Sequence, residues 1–255
     1  MTAPEFLATT DGRRIAYHKT PASGEGARLP GLVFLGGFRS DMTGTKALFL
    51  EERARAAGRA FLRFDYTGHG ASSGDFLDGT IGGWARDAAD VLAALTEGPQ
   101  ILIGSSMGGW IALLTARAMP DRVAGMVGIA AAPDFTEDSM WAGFTPAQRQ
   151  TLLAEGRIAL PSAYSEEPYI ITRRLIEDGR RHLVLRAPLP LPFPVRLLHG
   201  TADADVPVAV ALRLIDHADG PDIRLTLVKG AGHRFSEPPQ LELIWQAAQE
   251  VAAAA

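Results

Sequence analysis

The sequence predicts an α/β fold: an open, doubly wound, mostly parallel sheet with helices on both faces and a small helical cap inserted into it. Three observations predict this. Short apolar runs alternate along the chain with longer segments of helical periodicity, the pattern of successive strand–helix units. Several runs, such as Leu32-Val33-Phe34-Leu35 and Ile101-Leu102-Ile103, are apolar at every position, as strands buried on both faces must be. One of them ends in Gly104-Ser105-Ser106-Met107-Gly108 and passes directly into Trp110-Ile111-Ala112-Leu113-Leu114, a helical pattern, leaving no residues for a loop.

Strands are expected at 15–18, 32–35, 60–64, 101–103, 123–129, 195–198 and 224–228, with helices at 45–57, 84–96, 110–119, 208–217 and 240–253. The rhythm breaks between 134 and 194. Helical segments at 146–155 and 169–181 are followed there by Pro188-Leu189-Pro190-Leu191-Pro192-Phe193-Pro194, which can be neither a central strand nor a helix. A structureless loop of this length is rare. The expected organisation is therefore a core of residues 1–133 and 195–255, with 134–194 as the cap, returned to the sheet by a stiff proline-rich connector.

A chain of 255 residues fits one large domain of this kind and buries enough surface to need no staples. It contains no cysteine, which excludes disulfides, thiolate metal sites and a cysteine nucleophile. The formal net charge of -4 is mild, and lysine occurs only at Lys19, Lys46 and Lys229. Nothing marks a nucleic-acid surface. The N-terminus has no basic segment followed by an apolar one, so no secretory signal is expected. The longest apolar stretch, around Val123 to Ala132, is too short for a membrane span and is interrupted by Gly125 and Gly128. A cytoplasmic protein without a membrane span or nucleic-acid partner is expected; oligomeric state is not legible.

Chemistry is carried by the Gly104-x-Ser106-x-Gly108 turn. So tight a passage from strand to helix holds the middle residue in a strained conformation and lifts the Ser106 hydroxyl above the sheet, beside the helix N-terminus. A serine hydroxyl is a poor nucleophile until a base takes its proton, and the base needs a partner to hold its tautomer. Both partners are expected at later strand ends, acid before histidine. The run Val195-Arg196-Leu197-Leu198-His199-Gly200 leads to Asp203 and Asp205 before Val206-Pro207. Asp203 is assigned as the acid, and Asp205 as a helix N-cap with Pro207 just inside the helix. The last strand ends in Lys229-Gly230-Ala231-Gly232-His233, so His233 is assigned as the base. His18, His182, His199 and His217 lie in a strand, the cap, the acid's own strand end and a helix. His69, in Gly68-His69-Gly70, is the remaining rival and reads as a structural turn residue near the pocket. Oxyanion donors are expected from the backbone N–H of Met107 and, in the glycine-rich Leu35-Gly36-Gly37-Phe38 loop, from that of Phe38, with Gly37 left open.

Other patterns are set aside. Gly68-His69-Gly70-Ala71-Ser72-Ser73-Gly74 lacks the third glycine of a dinucleotide loop and opens no helix. No metal-ligand spacing and no phosphate loop occur, so no metal or organic cofactor is expected. Arg173, Arg174, Arg180 and Arg181 read as a solvated face. Trp110, Trp141, Phe144 and Tyr164, expected near the cap, point to a medium acyl chain in a small-molecule or acylated substrate, with a place in the core equally open for them.

At these residues the chain resembles the α/β-hydrolase fold. The strand–serine–helix turn, the His-Gly-x-x-Asp loop ending in Val-Pro and the terminal Gly-x-Gly-His match in order, over essentially the whole chain. A narrower likeness is to the abhydrolase-domain palmitoyl-protein thioesterases and acyl-glucuronide esterases and their bacterial relatives. It rests on Met42-Thr43-Gly44-Thr45-Lys46-Ala47, Arg63-Phe64-Asp65-Tyr66-Thr67-Gly68, Gly98-Pro99-Gln100-Ile101-Leu102-Ile103-Gly104-Ser105-Ser106 and Pro161-Ser162-Ala163-Tyr164-Ser165-Glu166-Glu167. The resemblance implies a triad at Ser106, Asp203 and His233 and cleavage of acyl esters or thioesters. No transit segment is read at the N-terminus, a departure from the mitochondrial members, and a bacterial cytoplasmic protein is expected. Carbon–carbon hydrolysis, cofactor-free peroxidation or a non-enzymatic ligand-binding role on the same scaffold stay open at this point.

Overall fold

The computed structural model describes residues 3–160 and 168–255. The first half of the chain holds β1 (Glu5–Ala8), β2 (Arg14–Thr20), β3 (Gly31–Leu35), α1 (Thr45–Ala56), β4 (Phe61–Phe64), α2 (Ile81–Leu95), β5 (Gln100–Ser105), α3 (Met107–Ala118) and β6 (Val123–Ile129). Next come α4 (Pro146–Glu155), β7 (Arg157–Leu160), β8 (Tyr169–Thr172), α5 (Arg173–Arg180) and β9 (Leu189–Pro190). The chain ends with β10 (Val195–Gly200), α6 (Val208–His217), β11 (Ala218–Asp219), β12 (Ile223–Val228) and α7 (Pro238–Ala254).

Eight strands form one sheet in the order β1-β2-β4-β3-β5-β6-β10-β12. From β4 to β12 all neighbours are parallel; β1 and β2 complete the edge antiparallel. Alternate residues of each strand feed two cores. Leu32, Phe34, Ile101, Ile103, Val127 and Ile129 pack with Leu50 of α1 and Ile244, Ala248 and Val251 of α7. Val33, Leu35, Leu102 and Met126 pack on the opposite face with Trp84 and Val91 of α2 and Trp110 and Leu113 of α3. Every residue of β3 and β5 is buried, which is why these strands read as unbroken apolar runs. Parallel strands bring their carboxyl ends to one rim, where the loops that carry chemistry emerge.

The expected α/β architecture is present, with three local differences. Residues 169–181 are not one helix: Tyr169–Thr172 is extended and pairs antiparallel with Arg157–Leu160. The Thr172 hydroxyl then caps α5 by accepting the Leu175 N–H. The β-branched run Ile170-Ile171-Thr172 favours a strand once a partner is at hand. Within the proline run, Leu189–Pro190 forms a two-residue parallel pairing with Ala218–Asp219, an edge position that spares the missing proline N–H. The expected N-cap at Asp205 is not formed; Pro207 occupies that place and α6 begins at Val208. The 161–167 motif, with Tyr164, lies outside the described residues.

Candidate active site

The β5–α3 turn is built by close backbone contact. A side chain at Gly108 would place its Cβ 2.0 Å from the Leu35 carbonyl oxygen, so only glycine lets α3 meet the loop after β3. Ser106 sits between them at φ 55° and ψ -118°, a strained conformation for a residue with a side chain. The neighbouring strand holds it there: the Ser106 N–H donates to the Ile129 carbonyl at 2.9 Å, and the Ala132 N–H donates to the Ser106 carbonyl at 3.1 Å.

Two loops from the adjacent parallel pair β10 and β12 meet this serine. At Gly200 a Cβ would lie 2.1 Å from the Ala231 carbonyl oxygen, so the glycine lets the two loops touch, and the Ala202 N–H donates to that carbonyl at 3.0 Å. The result is a continuous hydrogen-bond line. His233 Nε2 lies 3.1 Å from Ser106 Oγ, and His233 Nδ1 lies 2.8 Å from Asp203 Oδ2. The other carboxylate oxygen, Asp203 Oδ1, accepts the N–H groups of Asp205 at 2.9 Å and Val206 at 2.8 Å. Burial opposes ionisation of Asp203, yet the bonds from His233 and from these amides hold its carboxyl below the usual carboxylate range. Buried His199 donates from Nε2 to the Val206 carbonyl at 2.8 Å and lies 3.5 Å from Asp203 Oδ2, closing the acid's surroundings from behind.

Asp205, assigned from sequence as an N-cap, instead donates its own N–H to Asp203. Asp203, Asp205 and His233 bring ligand-type atoms within 4.8 Å of one another. Both oxygens of Asp203 and both nitrogens of His233 already have protein partners, so the cluster is organised around hydrogen bonds.

A cavity of about 550 Å³ opens on the serine, within the size range of small-molecule sites. Phe38, Met107, Phe135, Met140 and Tyr169 are among its apolar lining; Arg39, Lys46 and Arg234 bring positive charge to it. Met107 is the first residue of α3, and among the described residues neither its N–H nor that of Phe38 has a protein acceptor. Lys46 donates to the Arg234 carbonyl; burial, with Arg234 close by, lowers its ammonium to about 8. Of the two places left open for them, Trp110 and Phe144 take the core, Trp110 donating from Nε1 to the His182 carbonyl at 3.1 Å. Trp141 is stacked by Arg149 and Arg180. The aromatic lining comes from Phe38, already marked by its glycine-rich loop, and from Phe135 and Tyr169, which no local pattern singles out. The arginines of α5 and its C-terminal end are ion-paired, Arg173 with Glu177, Arg174 with Asp78, Arg180 with Glu137 and Arg181 with Asp178.

Residues 32–254 match the profile of the alpha/beta hydrolase family. The chain belongs to the alpha/beta hydrolase family. It is 38% identical over 240 residues to a mouse protein, mitochondrial palmitoyl-protein thioesterase ABHD10, an alignment covering 94% of this chain and 79% of that one. The crystal structure of an Agrobacterium vitis S4 protein described as a hydrolase superposes with a TM-score of 0.92 at 40% identity, covering 98% of this chain and all of that one. The structure of mouse alpha/beta hydrolase domain-containing protein 10 superposes with a TM-score of 0.89 at 33% identity over the full length of both chains. These relatives share with this alpha/beta hydrolase the architecture that positions its candidate site. No helix among the described residues is long and apolar enough to cross a membrane.

Proposed function

We propose that this alpha/beta hydrolase is a serine hydrolase that cleaves carboxylic esters or thioesters through an acyl-enzyme. The observation that carries the reading is the unbroken line from Ser106 Oγ through His233 to Asp203, at 3.1 and 2.8 Å. Ser106 attacks the substrate carbonyl carbon while His233 Nε2 takes the hydroxyl proton; the imidazolium then returns it to the departing alcohol or thiol. Water, deprotonated by the same nitrogen, releases the acid and regenerates Ser106. Asp203 keeps Nδ1 protonated and stabilises the charge that His233 acquires. The amides of Phe38 and Met107 receive the negative charge that develops on the carbonyl oxygen, a contribution of about 3 kcal/mol per donor.

Residues 134–194 act in this reading as a cap, supported by the presence of Phe135, Met140 and Tyr169 in the cavity lining. Their apolar surface suits an acyl chain. The likeness to a palmitoyl-protein thioesterase supports acylated proteins or small acyl conjugates as substrates. A fluorophosphonate probe is expected to label Ser106 in the wild type and nothing in Ser106→Ala. A panel of thioesters and oxygen esters of graded chain length then reports the preferred leaving group and acyl length. A wild-type protein that neither takes the probe nor turns over any ester would overturn the proposal.

A further inference from the structure

We propose that His69 is a positioning residue: it holds the Phe38 amide in place for the oxyanion by accepting a hydrogen bond from the next amide along, that of Arg39. The proposal rests on the reading of Phe38 as an oxyanion donor. The His69 ring is 5% exposed. It meets Tyr66, Phe76 and Trp84 edge-on, at centroid distances of 5.7, 5.1 and 5.1 Å. Its Nδ1 faces the Thr67 carbonyl at 3.4 Å, and its Nε2 faces the Arg39 N–H at 3.3 Å. One neutral tautomer satisfies both contacts, with the proton on Nδ1 and the lone pair on Nε2 turned to the loop.

The frame around the ring is itself tied down. The Thr67 carbonyl also accepts Trp84 Nε1–H at 3.0 Å, and the Thr67 N–H donates to the buried Asp87 carboxylate at 2.8 Å. The Phe38 ring lies against two of the three aromatics that cage His69, 5.0 Å from Phe76 and 5.9 Å from Trp84. Arg39 has φ 56°, a left-handed conformation that residues with side chains seldom adopt without support. The turn at Arg39 aims its amide inward at His69, and the amide one residue earlier is the proposed oxyanion donor. An imidazolium would set Nε2–H against the Arg39 N–H. Burial, with Arg39 as the charged neighbour, lowers the ring to about 4, so the acceptor persists at neutral pH.

The test compares His69→Leu, which removes the acceptor, with His69→Gln, which keeps one near Nε2. Each is assayed on p-nitrophenyl butyrate and against a trifluoromethyl ketone that mimics the tetrahedral adduct, with Ser106→Ala as the control. His69→Leu is expected to lower kcat about 10- to 100-fold with KM within about twofold, and to weaken the ketone by the same factor as kcat. His69→Gln is expected to keep at least about a third of the wild-type kcat. A folded His69→Leu variant with wild-type kcat, or a His69→Gln variant as impaired as it, overturns the proposal. Amide hydrogen exchange at Arg39 decides the loop contact without any turnover: at least about tenfold faster exchange in His69→Leu but not in His69→Gln supports it, and unchanged exchange overturns it. A wild type that hydrolyses no ester defeats the serine-hydrolase reading, and the exchange result still judges His69.

Discussion

Ser106 is held at the site by its backbone. Its backbone lies at φ 55° and ψ -118°, amide contacts with Ile129 and Ala132 keep it there, and its hydroxyl oxygen lies 3.1 Å from His233 Nε2. In the proposed proton relay, the nitrogen of His233 that carries hydrogen is set by Asp203, whose Oδ2 lies 2.8 Å from Nδ1. Asp203→Asn can bond Nδ1 in the wrong sense, favouring the tautomer that cannot take the serine proton. It is expected to lower kcat on an activated ester by about 10⁴-fold while the fold, followed by near-ultraviolet circular dichroism, is retained. A loss under about tenfold would move the acid's role elsewhere. The convergence of Ser106, Asp203 and His233 at one rim was legible because at each a strand end, a glycine and a polar side chain are neighbours in the chain. The position of Asp205 was misread: Asp-Val-Pro before a helical pattern looks like a cap, but the Asp203 carboxylate draws in the Asp205 amide and the helix opens later.

At the scale of elements, the site depends on how closely α3 can approach the end of β3. The Leu35 carbonyl oxygen that a Cβ at Gly108 would meet at 2.0 Å, and the Gly36 oxygen at 2.6 Å, belong to backbone that cannot swing aside. Gly108→Ala is therefore expected to cost about 2 to 4 kcal/mol in urea unfolding and to displace the Gly36–Gly37–Phe38 loop, lowering activity as well. Gly143→Ala provides the contrast. Nothing lies within 4 Å of the added Cβ, and its stability should stay within about 1 kcal/mol of the wild type. Helix and strand positions were legible wherever the pattern reflects burial of a whole face. The strand at Tyr169–Thr172 was not: its partner Arg157–Leu160 lies close by in the chain, but a run of four residues leading straight into the helix Arg173–Arg180 reads as the start of that helix.

Across the whole molecule, stability should respond to pH through the buried histidine. An unfolded His69 titrates near its ordinary value of 6.5 and the folded one at about 4. Between these values the unfolded chain binds the extra proton, so stability present above pH 6.5 is lost as pH falls toward 4, by about 3 kcal/mol in total. His182, whose pKa is raised by its bonds to Asp178, acts with the opposite sign and at higher pH. Urea unfolding at pH 7 and pH 4.5 should therefore show a smaller loss in His69→Gln, which has nothing to titrate there, than in the wild type. Equal losses in the two proteins would contradict the buried, neutral ring.

The amino-acid sequence alone determined the doubly wound sheet and the strand ends that bring Ser106, Asp203 and His233 together, because burial on both faces and tight glycine turns are written in consecutive residues. Only the tertiary structure decided that Phe38, Phe135 and Tyr169 line the cavity, that Trp110 and Phe144 belong to the core, and that His69 faces the Arg39 amide. Those relations join residues from separate loops and helices, and their distances exist only after the two faces of the sheet have been covered.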